Sequence, residues 1–167
     1  MQIEEFNHIV QNLKDKMYRL ALRLVRDHEE ARDVVQDSLV KIWNKWDKLE
    51  DVENKEAYCM TITRNVGIDK IRKKRMKTTD IDEHYDIESG SANPERLTIV
   101  KDEFSRVQKV INALPENHRT VVQLRDIEGY SYKEVSEITG YSVDKVKVYL
   151  HRARLKLKEQ IRSLRHT

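Results

Sequence analysis

The sequence predicts an all-α protein made of two small helical domains joined by a flexible acidic linker. Three observations carry this. Charged residues make up 37% of the 167 positions, against only 4 Gly and 2 Pro, a composition that suits helices with solvated faces and argues against a β-sandwich or barrel. Apolar residues recur every three or four positions through two long stretches, the helical period. Between those stretches, from Thr78 to Pro94, the period vanishes into an acidic segment containing Ser89-Gly90-Ser91, as in a linker. The boundaries that follow are 1–77, 78–98 and 99–167. Hydrophobic content of 38% keeps any core small, so two cores fit the length better than one large one.

Phe6, Ile9, Leu13, Met17, Leu20 and Leu24 form the apolar stripe of a first helix. Asp27 with Glu30 is a cap and capping-box pair that opens a second. That second helix sets Ala31, Val35, Ser38, Ile42 and Trp46 on one face and Asp33, Gln36, Asp37 and Lys41 largely on another, with Trp43 nearer the surface. Leu49 to Lys55 is polar and irregular, a loop. A third helix spans about Glu56 to Arg75, with Tyr58, Ile62, Val66 and Ile68 or Ile71 partly inward.

After the linker, Val100, Phe104, Val107, Ile111 and Leu114 restore the helical period, and Pro115 ends that helix or starts the next. Asn117 to Ile127 is another short helix, closed by a turn at Glu128-Gly129-Tyr130. Ser131 then caps a helix and Glu134 completes its capping box. Val135 and Ile138 point inward, Gly140 permits a sharp turn, and Ser142 caps the last helix. There Val143, Val146, Leu150, Ala153 and Leu157 make the inner face.

The net charge of +3 hides its distribution. Lys70, Arg72, Lys73, Lys74, Arg75 and Lys77 crowd into eight residues. The acids Asp80, Asp82, Glu83, Asp86 and Glu88 come next, and the C-terminal helix is basic again. Two basic blocks flanking an acidic segment suggest two contacts with a polyanion, for which nucleic acid is the usual candidate. Solvated helix faces would account for either block alone. Cys59 is the only cysteine, so no disulfide framework is possible within the chain, and its apolar surroundings mark it as a buried thiol. The N-terminus lacks a signal-peptide pattern and no segment has the apolar length of a membrane span, so a cytoplasmic protein is expected. No Cys/His cluster has metal-ligand spacing, and there is no P-loop or nucleophile elbow. Neither an enzyme, a metal nor a cofactor is indicated.

The Ser131–Lys158 unit reads as a helix-turn-helix, in which a short turn lets the second helix enter a major groove. Lys145, Lys147, Val148, His151 and Arg152 are its groove-facing candidates. Arg152 is suited to a bidentate contact with guanine and Val148 to a thymine methyl. Lys145, Arg154 and Lys158 are better placed for phosphate. On the third helix Arg64 and Asn65 offer donors to a strand drawn by the adjacent basic run. The competing reading there is a local Arg64–Asp69 pair.

These residues together resemble the extracytoplasmic-function sigma factors, the small two-domain initiation subunits of bacterial RNA polymerase. Asp33-Val34-Val35-Gln36-Asp37 through Trp43 is similar to the family's region 2.2. Ile62-Thr63-Arg64-Asn65 with Asp69 and Arg72 is similar to region 2.3–2.4. Leu114-Pro115, Arg119, Val122, Leu124, Gly129-Tyr130-Ser131, Glu134, Gly140, Ser142, Val146-Lys147 and Arg152-Ala153-Arg154 are similar to region 4. The resemblance implies that Asp33, Gln36, Asp37 and Lys41 dock the β′ clamp helices of core RNA polymerase, with the β flap as a second contact. It implies that the Asp47–Asn54 loop captures a flipped base of the −10 element, and that Asn54, Tyr58, Arg64, Asn65 and Arg72 hold the opened strand. Lys145, Lys147, Val148, His151, Arg152 and Arg154 then read the −35 element of promoter DNA, while the linker threads toward the polymerase channels. No extension follows Thr167, so regulation is expected from a separate partner, by family habit an anti-sigma factor anchored at the inner membrane. Tyr58 stands where many relatives carry tryptophan, Thr63 and Ser136 where alanine is common, and Asp144 where a small residue is common. The main alternative is a helix-turn-helix regulator that binds palindromic operators as a dimer without core polymerase. A further one is a protein-docking adaptor.

Overall fold

The computed structural model describes residues 2–77 and 99–165, and every element among them is helical. The expected linker lies outside the described residues, as does the side chain of Val100. The N-terminal bundle comprises α1 (Gln2–Val25), α2 (His28–Asn44), a 3-10 turn (Trp46–Leu49) and α3 (Lys55–Lys77). The C-terminal bundle comprises α4 (Ile99–Asn112), α5 (Glu116–Val122), a π turn (Gln123–Ile127), α6 (Tyr132–Thr139) and α7 (Val143–Arg165).

In α1 the stripe predicted from sequence is buried from Leu13 through Met17, Leu20 and Leu24. Arg26 closes the helix in the left-handed region (φ 57°), its N–H donating to Leu22 O at 2.8 Å. Asp27 then caps α2, accepting from the Glu30 N–H at 2.9 Å. On α2 Ala31, Ser38 and Ile42 are buried as expected, but the remaining buried residue is Val34, with Val35 half-buried. Trp46 is buried in the 3-10 turn, whereas Trp43 is partly exposed and packs edge-on against Phe6 at 4.9 Å.

On α3 the residues expected to lie partly inward do so, but the centre of the buried side is made by others. Ala57, Cys59, Met60, Thr63, Val66 and Gly67 are buried; Tyr58, Ile62, Ile68 and Ile71 are only half-buried. The reason is close packing: small residues face α1 and α2, and a Cβ on Gly67 would lie 2.9 Å from Leu24 Cδ1. Thr63 donates its hydroxyl to Cys59 O at 2.9 Å, so it is buried without an orphaned donor.

In the C-terminal bundle Pro115 opens α5 with extended geometry (ψ 150°). Ile111 and Leu114 are buried, but Phe104, read from sequence as part of the inner stripe, is 65% exposed. Val143 is likewise at the surface, one residue after the Ser142 cap, and the inner face of α7 begins at Val146. The two bundles pack against one another, α1 and α3 meeting α5, the π turn and α6, and their apolar residues form one continuous cluster. No helix among the described residues is long and apolar enough to cross a membrane.

Candidate nucleic-acid interface

The helix-turn-helix is built from strong local signals. The Ser131 hydroxyl accepts from the Glu134 N–H at 3.1 Å while the Glu134 carboxylate accepts from the Ser131 N–H at 3.0 Å, a complete capping box. The Ser131 N–H is the main reason the Glu134 carboxyl is held below its ordinary range. Gly140 ends α6 at φ 78°, in the region open to glycine. Two hydroxyls pin the turn: Ser136 donates to Tyr141 O at 2.6 Å, and Thr139 Oγ1 accepts from the Tyr141 N–H at 3.2 Å. Ser142 starts α7 by accepting from the Lys145 N–H at 3.2 Å.

With Val146, Leu150 and Ala153 buried, the other side of α7 is left to solvent. Lys145, Lys147, Val148, His151 and Arg152 are all exposed there, a basic face with one apolar spot. Lys147 lies over the Tyr132 ring at 5.5 Å and Arg125 over the same ring at 4.6 Å, which links α7 to α6 and the π turn. Arg154 behaves differently from the sequence expectation of a free phosphate contact. Its guanidinium is forked onto Asp126, Nε to Oδ2 at 3.1 Å and Nη2 to Oδ1 at 2.6 Å, and this bond raises its pKa. A carboxylate in the π turn thus already holds the donors that a phosphate would need.

In the N-terminal bundle Gln36, Asp37 and Lys41 are exposed on one side of α2. Asp33 shares that side and pairs loosely with Lys70 at 3.3 Å. Asn65 and Arg72 are exposed on α3 and Tyr58 is half-buried. The local Arg64–Asp69 pair is not formed. Arg64 instead donates from Nη2 to the Tyr141 hydroxyl at 3.2 Å and sits over that ring at 5.3 Å. Asn54 has two tasks: its Oδ1 caps α3 by accepting from the Ala57 N–H at 2.9 Å, and its Nδ2 donates to Glu134 at 3.1 Å.

The seam between bundles also holds residues that the sequence did not single out. Arg19 forks onto Glu128 at 2.8 and 3.0 Å. Glu56 accepts from both Lys16 at 3.0 Å and the Tyr130 hydroxyl at 2.8 Å. Burial, reinforced by Glu56, pushes the Tyr130 phenol above its ordinary range. Arg23 is buried and donates to Gln123, Asn112 and Gln108 at 2.9, 2.9 and 2.6 Å. All three partners are neutral amides, and burial lowers its pKa to about 10. A lone cation inside the apolar run Leu20-Ala21-Leu22-Arg23-Leu24-Val25 was the available signal for Arg23. Arg19 and Glu128, 109 positions apart, offered none.

The family described as Sigma-70 region 2 matches residues 9–76, and that described as Sigma-70, region 4 matches residues 104–157. The chain is 29% identical to the ECF RNA polymerase sigma factor SigW of Bacillus subtilis, over 96% of this chain and 91% of that protein. It is 28% identical to the RNA polymerase sigma-E factor of Streptomyces avermitilis, over 97% of this chain and 88% of that one. Among solved structures it is similar to the sigma factor RpoE from Bartonella quintana, in complex with the anti-sigma factor NepR, with a TM-score of 0.75 at 25% identity, covering 95% of this chain and 98% of RpoE.

Proposed function

The chain belongs to the sigma-70 family, among its extracytoplasmic-function sigma factors, and from that premise we propose a division of labour between its two bundles. Residues 1–77 bind core RNA polymerase and the −10 element, residues 99–167 bind the −35 element, and residues 78–98 join them. The observation that carries this is the exposed side of α7, where Lys145, Lys147, Val148, His151 and Arg152 stand clear of a buried anchor at Val146, Leu150 and Ala153. A helix held proud by a capped turn, with basic and apolar groups on its free side, suits duplex DNA in the major groove. Arg154 contributes indirectly, by fixing α7 to the π turn through Asp126.

On α2, Asp33, Gln36, Asp37 and Lys41 form the polymerase-docking surface, and α7's bundle meets the β flap. On α3 and the loop before it, Asn54, Tyr58, Arg64, Asn65 and Arg72 take the displaced −10 strand. Aromatic and guanidinium planes there stack on bases while amide and cationic groups meet phosphate. Sigma factors are not enzymes, and this chain acts by binding alone, without a cofactor, in the cytoplasm where polymerase and DNA lie. Likeness to RpoE, solved with NepR, supports a protein antagonist for this chain as well.

Run-off transcription with bacterial core polymerase and a library of promoter sequences tests the proposal. Transcripts that need both core and this chain are expected, and their sequences return the −35 and −10 preferences. Silence on every template, with unaided binding to a palindromic duplex, would point instead to a dimeric operator-binding regulator.

A further inference from the structure

Three guanidinium groups converge on one uncharged residue, Asn112, the last of α4. Arg23 Nη1 donates to Asn112 Oδ1 at 2.9 Å. Arg119 Nη1, from α5, donates to the Asn112 carbonyl oxygen at 3.3 Å, and Arg26 Nη1 stands 3.5 Å from that same oxygen. Their other hydrogen bonds also go to neutral acceptors: Gln123, Gln108 and the Leu114 carbonyl. Among the described residues, none of the three arginines bonds a carboxylate.

The last carbonyls of a helix attract a cation, and one guanidinium would meet that need. Here Arg23 and Arg119 are each more than nine-tenths buried, at 8% and 7% exposure, so like charges gather where water screens them least. Burial first, then the charges of Arg26, Arg23 and Arg75, lower the Arg119 pKa to about 10 against the opposing pull of Glu116. The Glu116 carboxylate is itself engaged by the Thr120 hydroxyl at 3.1 Å. Donors are also left over. Arg119 Nε and Gln123 Nε2 are buried with no partner among the described residues, and half-buried Arg26 makes only its one long bond. Buried donors without acceptors and buried cations without a counter-charge both cost stability, which an anion at this point would restore.

We propose that the arginines around Asn112 form a binding site for a small phosphate-bearing anion, lying where the end of α1 meets the α4–α5 turn. A carboxylate offers two oxygens and one charge, enough for a single guanidinium. A terminal phosphate offers three oxygens and up to two charges, which suits several guanidiniums arriving from different helices. The depth of Arg23 and Arg119 favours a small anion over the backbone of a duplex. Arg26 and Arg119 would bind the phosphate oxygens, while Arg23, bonded to its three amides, supplies charge. The site is separate from the exposed side of α7 and does not depend on the polymerase and promoter assignments.

Isothermal titration calorimetry of the full chain with inorganic pyrophosphate, at an ionic strength fixed with potassium chloride, tests the proposal. Saturable binding of one pyrophosphate per chain is expected. Arg26→Gln, which gives up only a long hydrogen bond within the fold, should weaken it about tenfold, as for the loss of one charge-assisted bond. Arg26→Asn, better suited to the left-handed φ of 57° at this position, is a second neutral variant and should do the same. Circular dichroism checks that both are folded. Arg152→Ala, on the reading side of α7, should leave the affinity unchanged. Adenosine diphosphate titrated in parallel separates the sources of the phosphate: tighter binding than pyrophosphate assigns a nucleotide, and equal or weaker binding assigns the inorganic anion. No saturable binding by the wild-type chain, wild-type affinity in the folded Arg26 variants, or a loss confined to Arg152→Ala would overturn the site. Arg26-dependent binding of a hexaglutamate peptide in preference to pyrophosphate would also overturn it, because the ligand would then be an acidic peptide.

Discussion

Helices α3 and α7 are each 23 residues long, rich in basic residues, and proposed to meet DNA, yet they are used in opposite ways. In α7 one side is buried at Val146, Leu150 and Ala153 and the other is free. In α3 one side is buried against α1 and α2 while α6 covers part of the other, so Arg64 serves the fold and the proposed site at once. A helix with a single buried side separates the residues that hold it from the residues that act. A helix covered twice does not, and changes along it mix stability with function.

The largest expected effect breaks the anchor of α7. Leu150→Ala should cost about 2–5 kcal/mol by leaving a cavity among buried neighbours. Val148→Ala, two positions away on the free side, should leave stability nearly unchanged. Chemical denaturation of both variants checks this. Equal losses would mean that the exposed side of α7 is also covered, and the contrast with α3 would collapse.

Next comes the separation of roles. Arg152→Ala should weaken −35 duplex binding by the holoenzyme about tenfold or more, consistent with losing one base-reading guanidinium at about 1–3 kcal/mol, and should leave affinity for core polymerase intact. Gln36→Ala with Asp37→Ala should do the reverse. A loss of core affinity in the Arg152 variant would contradict the assignment.

A smaller effect concerns Arg154. Both partners of its bridge to Asp126 are partly exposed, so removing either should cost no more than about 1 kcal/mol of stability. The informative comparison is in DNA binding. If Arg154 positions α7, Asp126→Ala and Arg154→Ala should weaken −35 binding to a similar small extent. If Arg154 is instead a phosphate contact restrained by Asp126, freeing it by Asp126→Ala should strengthen binding.

How much of this was legible in the sequence follows the same division. The α6–α7 unit could be placed almost residue by residue, because Ser131, Glu134, Gly140 and Ser142 are local signals whose hydrogen bonds span only three or four positions. The stripe of α1 was legible because its apolar period, Leu13, Met17, Leu20 and Leu24, is clean, although the helix also meets the second bundle along another side. On α3 Tyr58 and Ile62 lie partly inward as expected, but the most buried positions include Ala57, Thr63 and Gly67, small residues that carry no apolar signal to mark them. On α2 Val34 takes the buried place expected of Val35, a choice that adjacent valines cannot reveal. The seam was beyond reach, since Arg19–Glu128 and Arg23–Gln123 join residues 109 and 100 positions apart. The bond from Arg154 to Asp126 was out of reach too, because the partner lies 28 positions earlier, in a π turn with no sequence signature.

The smallest effect reports on the free side of α7 without DNA-binding data. His118, half-buried on α5 beside Tyr149 at 5.3 Å, has its pKa lowered from 6.5 first by burial and then by the positive charge of Arg152. Its folded form therefore prefers the neutral ring. The stability this contributes is complete above the unfolded value and declines as pH falls from there through the lower folded pKa, because the unfolded chain takes up the proton first. Arg152→Ala should raise the His118 pKa part of the way back, since desolvation persists, and NMR titration of the ring measures it. A phosphate backbone brought to Arg152 should move it in the same direction by cancelling the same charge. An Arg152-dependent rise on adding −35 duplex would place the DNA beside the N-terminal half of α7. A ring that shifts in the Arg152 variant but ignores the duplex would place it elsewhere on the helix.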